Sequence, residues 1–599
     1  MKTTQNHDSG APIYRPLKVY AFDPSQGRNI GNYMTVNVKY EKLQPGPIGE
    51  HLMVIDYDAS NRCYYLPVDP DDPAILLRGG LDPSESNPQF HQQMAYAVAS
   101  ETIKRFEFAL GRPIKWGFRG GVRNDPNRRR LRIFPHAMQE ANAYYSRDLR
   151  ALVFGYFRAS ETDAGSNLPG QTVFTCLSHD IIVHETTHAL IDGQRDFFTE
   201  PTGFDTPAFH EAFADIIALF QHFSFKEALL ETIQRTGGRI YKSDIEPETQ
   251  PANRGPTIQA ELSTGNPMVG LAKQFGEAMG MRAALRSALG TPPNSNDLDK
   301  LFEPHSRGSI LVAAVFDAFF TVYLRRTRDL MRIARAGGAM TGPGELHPDL
   351  ANRLAAEAAK TASHFVNMCI RALDYCPPVD ILFGDFLRAM ITADCDLVPD
   401  DDLGYRAALI EAFRLRGVRP EYVVSYSEES LRWCGPMELY GKDPRCEGLI
   451  FDLVKGTSPE QMKENARVLS NFGKNNARWL GLSTKEPVQA HSFHPVHRVG
   501  PDGQLKIEIV AELMQQRKLA LDPKDKSSPD FTFRGGSTLV LDRDGHARYA
   551  IQKSLESLER LARQREYHLQ LSANLGVAPY SGRPPEAQPM SFNLVHRGY

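Results

Sequence analysis

The sequence predicts an α+β protein, and three stretches carry that prediction. Up to about residue 80, alternating or β-branched runs (LKVYAF, MTVNVKY, HLMVIDYD) lie between Pro, Gly and Asn turns, the pattern of strands. Residues 266–418 are dominated by apolar positions at helical spacing, as in SILVAAVFDAFFTVYLRR, DLANRLAAEAAKTASHFVNMCIRAL and YRAALIEAFRLRG. Further on, TFRGGSTLVLDRDGHARYAIQK reads as strands joined by an Asp-Gly hairpin turn, followed by the helix SLESLERLARQREYHL.

In order along the chain, residues 1–88 form a β-rich N-terminal region. The period then changes: in FHQQMAYAVASETIKRFEFALG, the residues Met94, Val98, Ile103, Phe106 and Leu110 share one face of a helix that stops at Gly111. That helix opens an α/β catalytic domain over 89–235, followed by a helical domain over 236–422 and a small α+β accessory domain over 423–599. The last twenty residues, rich in Pro, Gly and Ser, read as a tail. The chain has no internal repeat.

Composition narrows the function. With 599 residues, 41% hydrophobic and 24% charged, the chain has the make-up of a soluble globular protein of several domains. A net charge of -3, from 69 basic and 72 acidic residues, supplies no field for nucleic acid or an anionic membrane, so neither is expected as a partner. The basic run Arg123 to Arg132 (RNDPNRRRLR) is read as a solvated loop. The N-terminal MKTTQNHDSGAPIYRP lacks the apolar core of a secretory signal. The longest apolar stretch, Ile310 to Leu324, is interrupted by Asp317 and reads as a buried helix rather than an anchor. Seven scattered cysteines without a CxxC pair suit reduced packing thiols, and the expected location is the cytoplasm.

Residues 180–193, DIIVHETTHALIDG, carry the chemistry. His184 and His188, one turn apart on a helix, present two imidazoles to one ion, with Glu185 alongside to hold the ion's water: the HExxH arrangement. The pattern is moderately specific alone. It is joined 23 residues after His188 by FHEAFADIIALFQHF, where Glu211 and Asp215 sit four apart at the start of a second amphipathic helix. Glu211 completes a two-histidine, one-carboxylate set that leaves a fourth position open, and Asp215 can orient a ligand imidazole. The plainer alternative is that both carboxylates merely suit a helix N-terminus. His210 competes with Glu211 as the third ligand.

The sequence here resembles the thermolysin-like gluzincin metallopeptidases over roughly residues 90–420. The resemblance implies a thermolysin-like catalytic core holding Zn2+. NAYYSRDLRALVFG (142–155) looks like that family's substrate-binding edge strand, which implies that Asn142 and Ala143 hold a peptide backbone. PHSRGSILVAAVFDAF (304–319) looks like its histidine-bearing loop before a long helix, which implies that His305 stabilises the oxyanion. Asp180 precedes His184 by four residues as in the family, although an N-cap role explains it equally well.

The chain also departs from the family. ALIDGQRDFFTEPTGFDTPAFH has no tyrosine where a carbonyl-polarising phenol is usual, and His222 stands seven residues after Asp215, so the family's calcium ligands have no counterpart. DLVPDDDLG (396–404) reads as a turn and helix start rather than a calcium loop. Arg282 and Arg286 are the candidates for a carbonyl-gripping arginine. HSFHPVH (491–497) is read as a loop, because Pro495 disrupts a helix and no acidic or thiol partner is adjacent.

The expected function is zinc-dependent hydrolysis of a peptide or protein substrate with Glu185 as general base. The alternative is a binding or regulatory module that keeps zinc but catalyses weakly. Residues 423–599 are read as a means of restricting access or recruiting a regulatory partner.

Overall fold

The computed structural model describes residues 12–21, 24, 32–118, 129–164, 167–226, 229–230, 233, 292–336, 340–342, 345–441, 443–451, 457–500, 503–525 and 527–575. Arg282, Arg286, the C-terminal tail and most of the basic run before Arg132 lie outside these residues.

The fold is α+β. Strands β1 (Tyr14–Tyr20) and β2 (Tyr33–Lys39) form an antiparallel ribbon in which every second residue is buried, as a half-covered sheet requires. Strand β3 (Leu52–Val54) belongs to the main sheet, and helix α1 (Pro88–Leu110) follows, capped by Gly111 at φ 70. The sheet continues with β4 (Leu131–Met138), β5 (Ala143–Ser146), β6 (Ala151–Arg158) and β7 (Thr172–Phe174). Its order is β3-β4-β6-β5, with β7 also paired to β6; of the stretch 142–155 expected as an edge strand, β5 stands at an edge among the described residues, whereas 151–155 belong to the inner strand β6.

Two buried helices follow: α2 (His179–Gln194), packed against β5, and α3 (Asp205–Phe223), packed against α2. The sequence predicts α3 to be amphipathic from Phe209. It starts four residues earlier and is buried almost all round, because α2, α4 (Pro304–Ala336) and α5 (Pro348–Ala372) enclose it. Helix α4 is long and apolar enough to cross a bilayer by length and composition, yet 72% of its apolar window is buried inside the protein. Helices α6 (Phe383–Leu397) and α7 (Tyr405–Leu415) complete the helical layer. Asp401 accepts hydrogen bonds from the Tyr405 and Arg406 backbone N–H groups at 2.7 and 2.8 Å, so this acidic turn starts a helix as expected.

Helix α8 (Pro459–Asn475) precedes a four-stranded antiparallel meander: β8 (Gln489–Val499), β9 (Leu505–Ala520), β10 (Asp530–Asp542) and β11 (Ala547–Lys553), followed by α9 (Leu558–Leu575). The expected loop at 491–497 is therefore a strand. Pro495, opposite Ile509, is tolerated because β8 is an edge strand whose missing N–H breaks no inner ladder. The meander is covered on both faces. Leu513, Leu539 and Leu541 pack with Leu469 of α8, while Val540, Tyr549 and Ile551 join the large core built around α1 to α7.

Buried charge fastens this C-terminal layer to the rest. Arg195, just after α2, donates to Glu512 of β9 and to the Leu373 carbonyl. Asp374 accepts from Arg112 at 2.7 and 2.9 Å, and its Oδ2 also accepts from Arg498 of β8. All seven cysteines are free thiols.

One close approach fixes where α2 ends. A Cβ on Gly193 would lie 1.8 Å from the Lys115 carbonyl oxygen, so the helix and the 112–118 segment touch through that glycine. In an open helix Gly→Ala stabilises by about 1 kcal/mol. Gly193→Ala should instead destabilise by about 1–3 kcal/mol through overpacking, read as a lower urea midpoint.

Candidate metal centre

Helix α2 begins at Ser178, whose side chain caps the Ile181 N–H. Asp180 is thus inside the first turn, which overturns the N-cap reading: its Oδ1 lies 3.6 Å from His222 Nδ1 and 3.8 Å from His179 Nδ1. One turn on, the helical period stacks His184 and His188 on the face towards α3, with ring centroids 4.5 Å apart.

There the two imidazoles meet Glu211. Its Oε2 is 3.5 Å from His184 Nε2 and 3.6 Å from His188 Nε2, and the three residues form a buried group able to hold a metal ion. Bonds of about 2.0–2.2 Å in a tetrahedral site separate neighbouring ligand atoms by roughly 3.3–3.6 Å, which the histidine–glutamate spacings satisfy. The two Nε2 atoms, 2.9 Å apart, must part slightly to admit an ion.

Both imidazoles turn Nε2 inward because Nδ1 is engaged behind them. His184 Nδ1 is 2.8 Å from Asp215 Oδ1, and His188 Nδ1 is 2.7 Å from His210 Nδ1. This orienting contact fixes the coordinating nitrogen. Of the two candidates for a third ligand, His210 stands behind His188, and Glu211 lies with the two Nε2 atoms. Asp215→Asn removes the charge that holds His184 and should weaken the binding of any metal ion held there about 10–100-fold, measured by competition with a chromophoric chelator.

The electrostatics ask for a cation. Glu185, Glu211 and Asp215 are all buried around the imidazoles. Burial opposes a charge on His184, but hydrogen bonds to Asp215 and Glu211 overcome it and push the imidazole up to about 10. Burial drives His188 well below its ordinary value, keeping it a neutral donor.

The edge strand is clamped along α2. The Tyr145 backbone N–H donates to Glu185 Oε2 at 2.8 Å, the Tyr145 hydroxyl donates to Asp192 Oδ2 at 2.7 Å, and Arg147 pairs with Asp192 at 3.2 Å. Burial raises Asp192 to about 6 despite Arg147. Ala143 is fully buried in β5, and Asn142 lies just before it, with its carbonyl accepting from the Gly155 N–H at 2.9 Å.

His305 arrives in the first turn of α4 rather than in a loop. Its Nε2 is 3.7 Å from Glu211 Oε2 and its Nδ1 is 2.7 Å from Glu303 Oε1. Burial works against its charge, yet Glu303 and Glu211 hold the imidazole above its ordinary value. Glu303 in turn is drawn down to about 2, its burial outweighed by hydrogen bonds from His305 and from the His305 and Ser306 backbone N–H groups. Sequence reasoning missed Glu303, although an acid two residues before His305 was a usable signal. It also missed His210 as the support of His188.

The three histidines of 491–497 diverge. His491 goes to Asp196 at 3.0 Å, His494 lies 3.9 Å from Asp374, and the His497 backbone N–H bonds the Gly111 carbonyl at 2.9 Å.

Compared with models of known protein families the chain matches none, and no curated protein is significantly similar to it in sequence.

Proposed function

We propose that the chain is a zinc-dependent metallopeptidase of the thermolysin-like gluzincin type, hydrolysing a peptide bond of an extended substrate. The observation that carries this reading is the convergence of His184, His188 and Glu211, with Glu185 turned to the backbone of the edge strand β5. Two imidazoles and a carboxylate suit zinc with an open position. Zinc held there would supply an acidified water and a Lewis acid for the scissile carbonyl.

The chain's own residues do the rest. Glu185 takes the proton of the attacking water and returns it to the leaving amine. His305, whose charged form Glu303 favours, would offer an N–H where negative charge develops. Asn142, just before β5, and Ala143 on it would present backbone groups to an extended peptide at the end of β5 away from the Tyr145–Glu185 contact; among the described residues β5 pairs with no strand but β6.

The missing tyrosine between His188 and His210 favours a second reading, a zinc-retaining module with weak catalysis. One experiment separates them. Cleavage of a mixed peptide library should stop with a chelator and return with zinc. No chelator-sensitive cleavage of any peptide would leave the binding module standing.

A further inference from the structure

We infer that His179, Asp180 and His222 form a second metal site, structural in role, that takes a zinc-class divalent ion. It goes beyond the proposed peptidase activity and does not depend on it.

The three side chains are buried, and one ligand atom of each lies within 4.8 Å of the other two. Asp180 Oδ1 stands 3.6 Å from His222 Nδ1 and 3.8 Å from His179 Nδ1. These gaps are longer than hydrogen bonds and close to the ligand-to-ligand spacing around a tetrahedral ion. They also repeat the 3.5 and 3.6 Å histidine–glutamate spacings of the catalytic group.

His179 supplies the independent sign. It is 2% exposed, and neither ring nitrogen has a hydrogen-bond partner. A buried imidazole in that state is unfavourable, and a ligand that accepts its lone pair relieves it. The ring is held edge-on to His222 at 5.6 Å and to Phe225 at 5.9 Å, which aims it without satisfying it.

A contrasting group shows what a satisfied cluster looks like. In His91, His136 and Cys176, His91 Nδ1 lies 2.8 Å from His136 Nε2, His91 Nε2 lies 3.1 Å from the Glu85 carbonyl and His136 Nδ1 lies 2.7 Å from Asp56. Every ring nitrogen there is hydrogen-bonded, and no ion is required.

Donor type selects the ion. Two imidazoles and one carboxylate suit Zn2+, Co2+ or Ni2+, whereas calcium needs about six to eight oxygens. Position gives the role. His179 and Asp180 are in the first turn of α2 and His222 is in the last turn of α3, so one ion ties together the two helices that carry the catalytic ligands.

Full-length protein loaded with zinc and desalted should carry about two ions per chain, and the His188→Ala and His222→Ala variants about one each. Zinc should also raise the melting temperature of His188→Ala, and this rise should vanish when His222→Ala is added. Anomalous scattering at the zinc edge should place a peak between His179, Asp180 and His222, and decides the matter should His222→Ala fail to fold. One ion in the unmodified protein, lost entirely in His188→Ala, overturns the second site and leaves the peptidase proposal intact. Two ions without any peptide hydrolysis would remove the peptidase proposal and leave this site.

Discussion

Glu185→Gln is expected to keep the zinc content of the unmodified protein and to lose peptide hydrolysis by at least about a hundredfold, the usual range for a general base. The substitution preserves shape. The amide oxygen can still accept the Tyr145 N–H that now bonds Glu185 Oε2 at 2.8 Å, so the edge strand stays docked. Only proton affinity is removed. Metal analysis beside a peptide cleavage assay checks both halves, and undiminished hydrolysis would rule out Glu185 as the base. Loss of metal together with activity would instead make Glu185 part of the ion's holding group.

Asp374→Ala is the most damaging single change expected outside the centre. Asp374 sits between two buried guanidinium groups, Arg112 and Arg498, and breaking a buried pair by removing one partner costs about 3–5 kcal/mol because the other charge stays behind. Here Arg112 loses its carboxylate, while Arg498 keeps Glu508 at 3.0 Å. Urea unfolding at neutral pH measures the effect, and a loss below about 1 kcal/mol would show that the arginines find other partners.

The same residue sets a pH dependence. Burial raises the Asp374 carboxyl, but Arg112, His494 and Arg498 hold it far below the ordinary carboxylate range. A depressed folded-state value contributes stability above the unfolded value, near about 4, that is lost as pH falls further. The unmodified protein should therefore weaken steadily below about pH 4, and Asp374→Ala should lack this component of the slope.

What could be read from the sequence was local. HExxH is a statement about one helix face and Glu211 with Asp215 repeats the same spacing on the next helix, but that the two faces meet rests on the donor set a metal prefers, not on period. Glu303 was missed because a contact two residues apart at a helix start has no periodic signature. Asp180 was open to an N-cap reading because the register of α2 depends on Ser178, which no apolar pattern marks. Residues 491–497 were misread because proline demotes a strand unless its place at an edge is known, and that place is a property of the whole sheet. The pairing of Arg112 with Asp374 spans 262 residues, and nothing local to either announces it.

The tie between Arg195 and Glu512 has a consequence for how the protein is born. A nascent chain owns His184, His188 and Glu211 once residue 211 has been made. Yet the guanidinium at the foot of the ligand-bearing helix finds its anion only 317 residues downstream. A ribosome-held intermediate must therefore keep that end of the helix wet until residue 512 has been made.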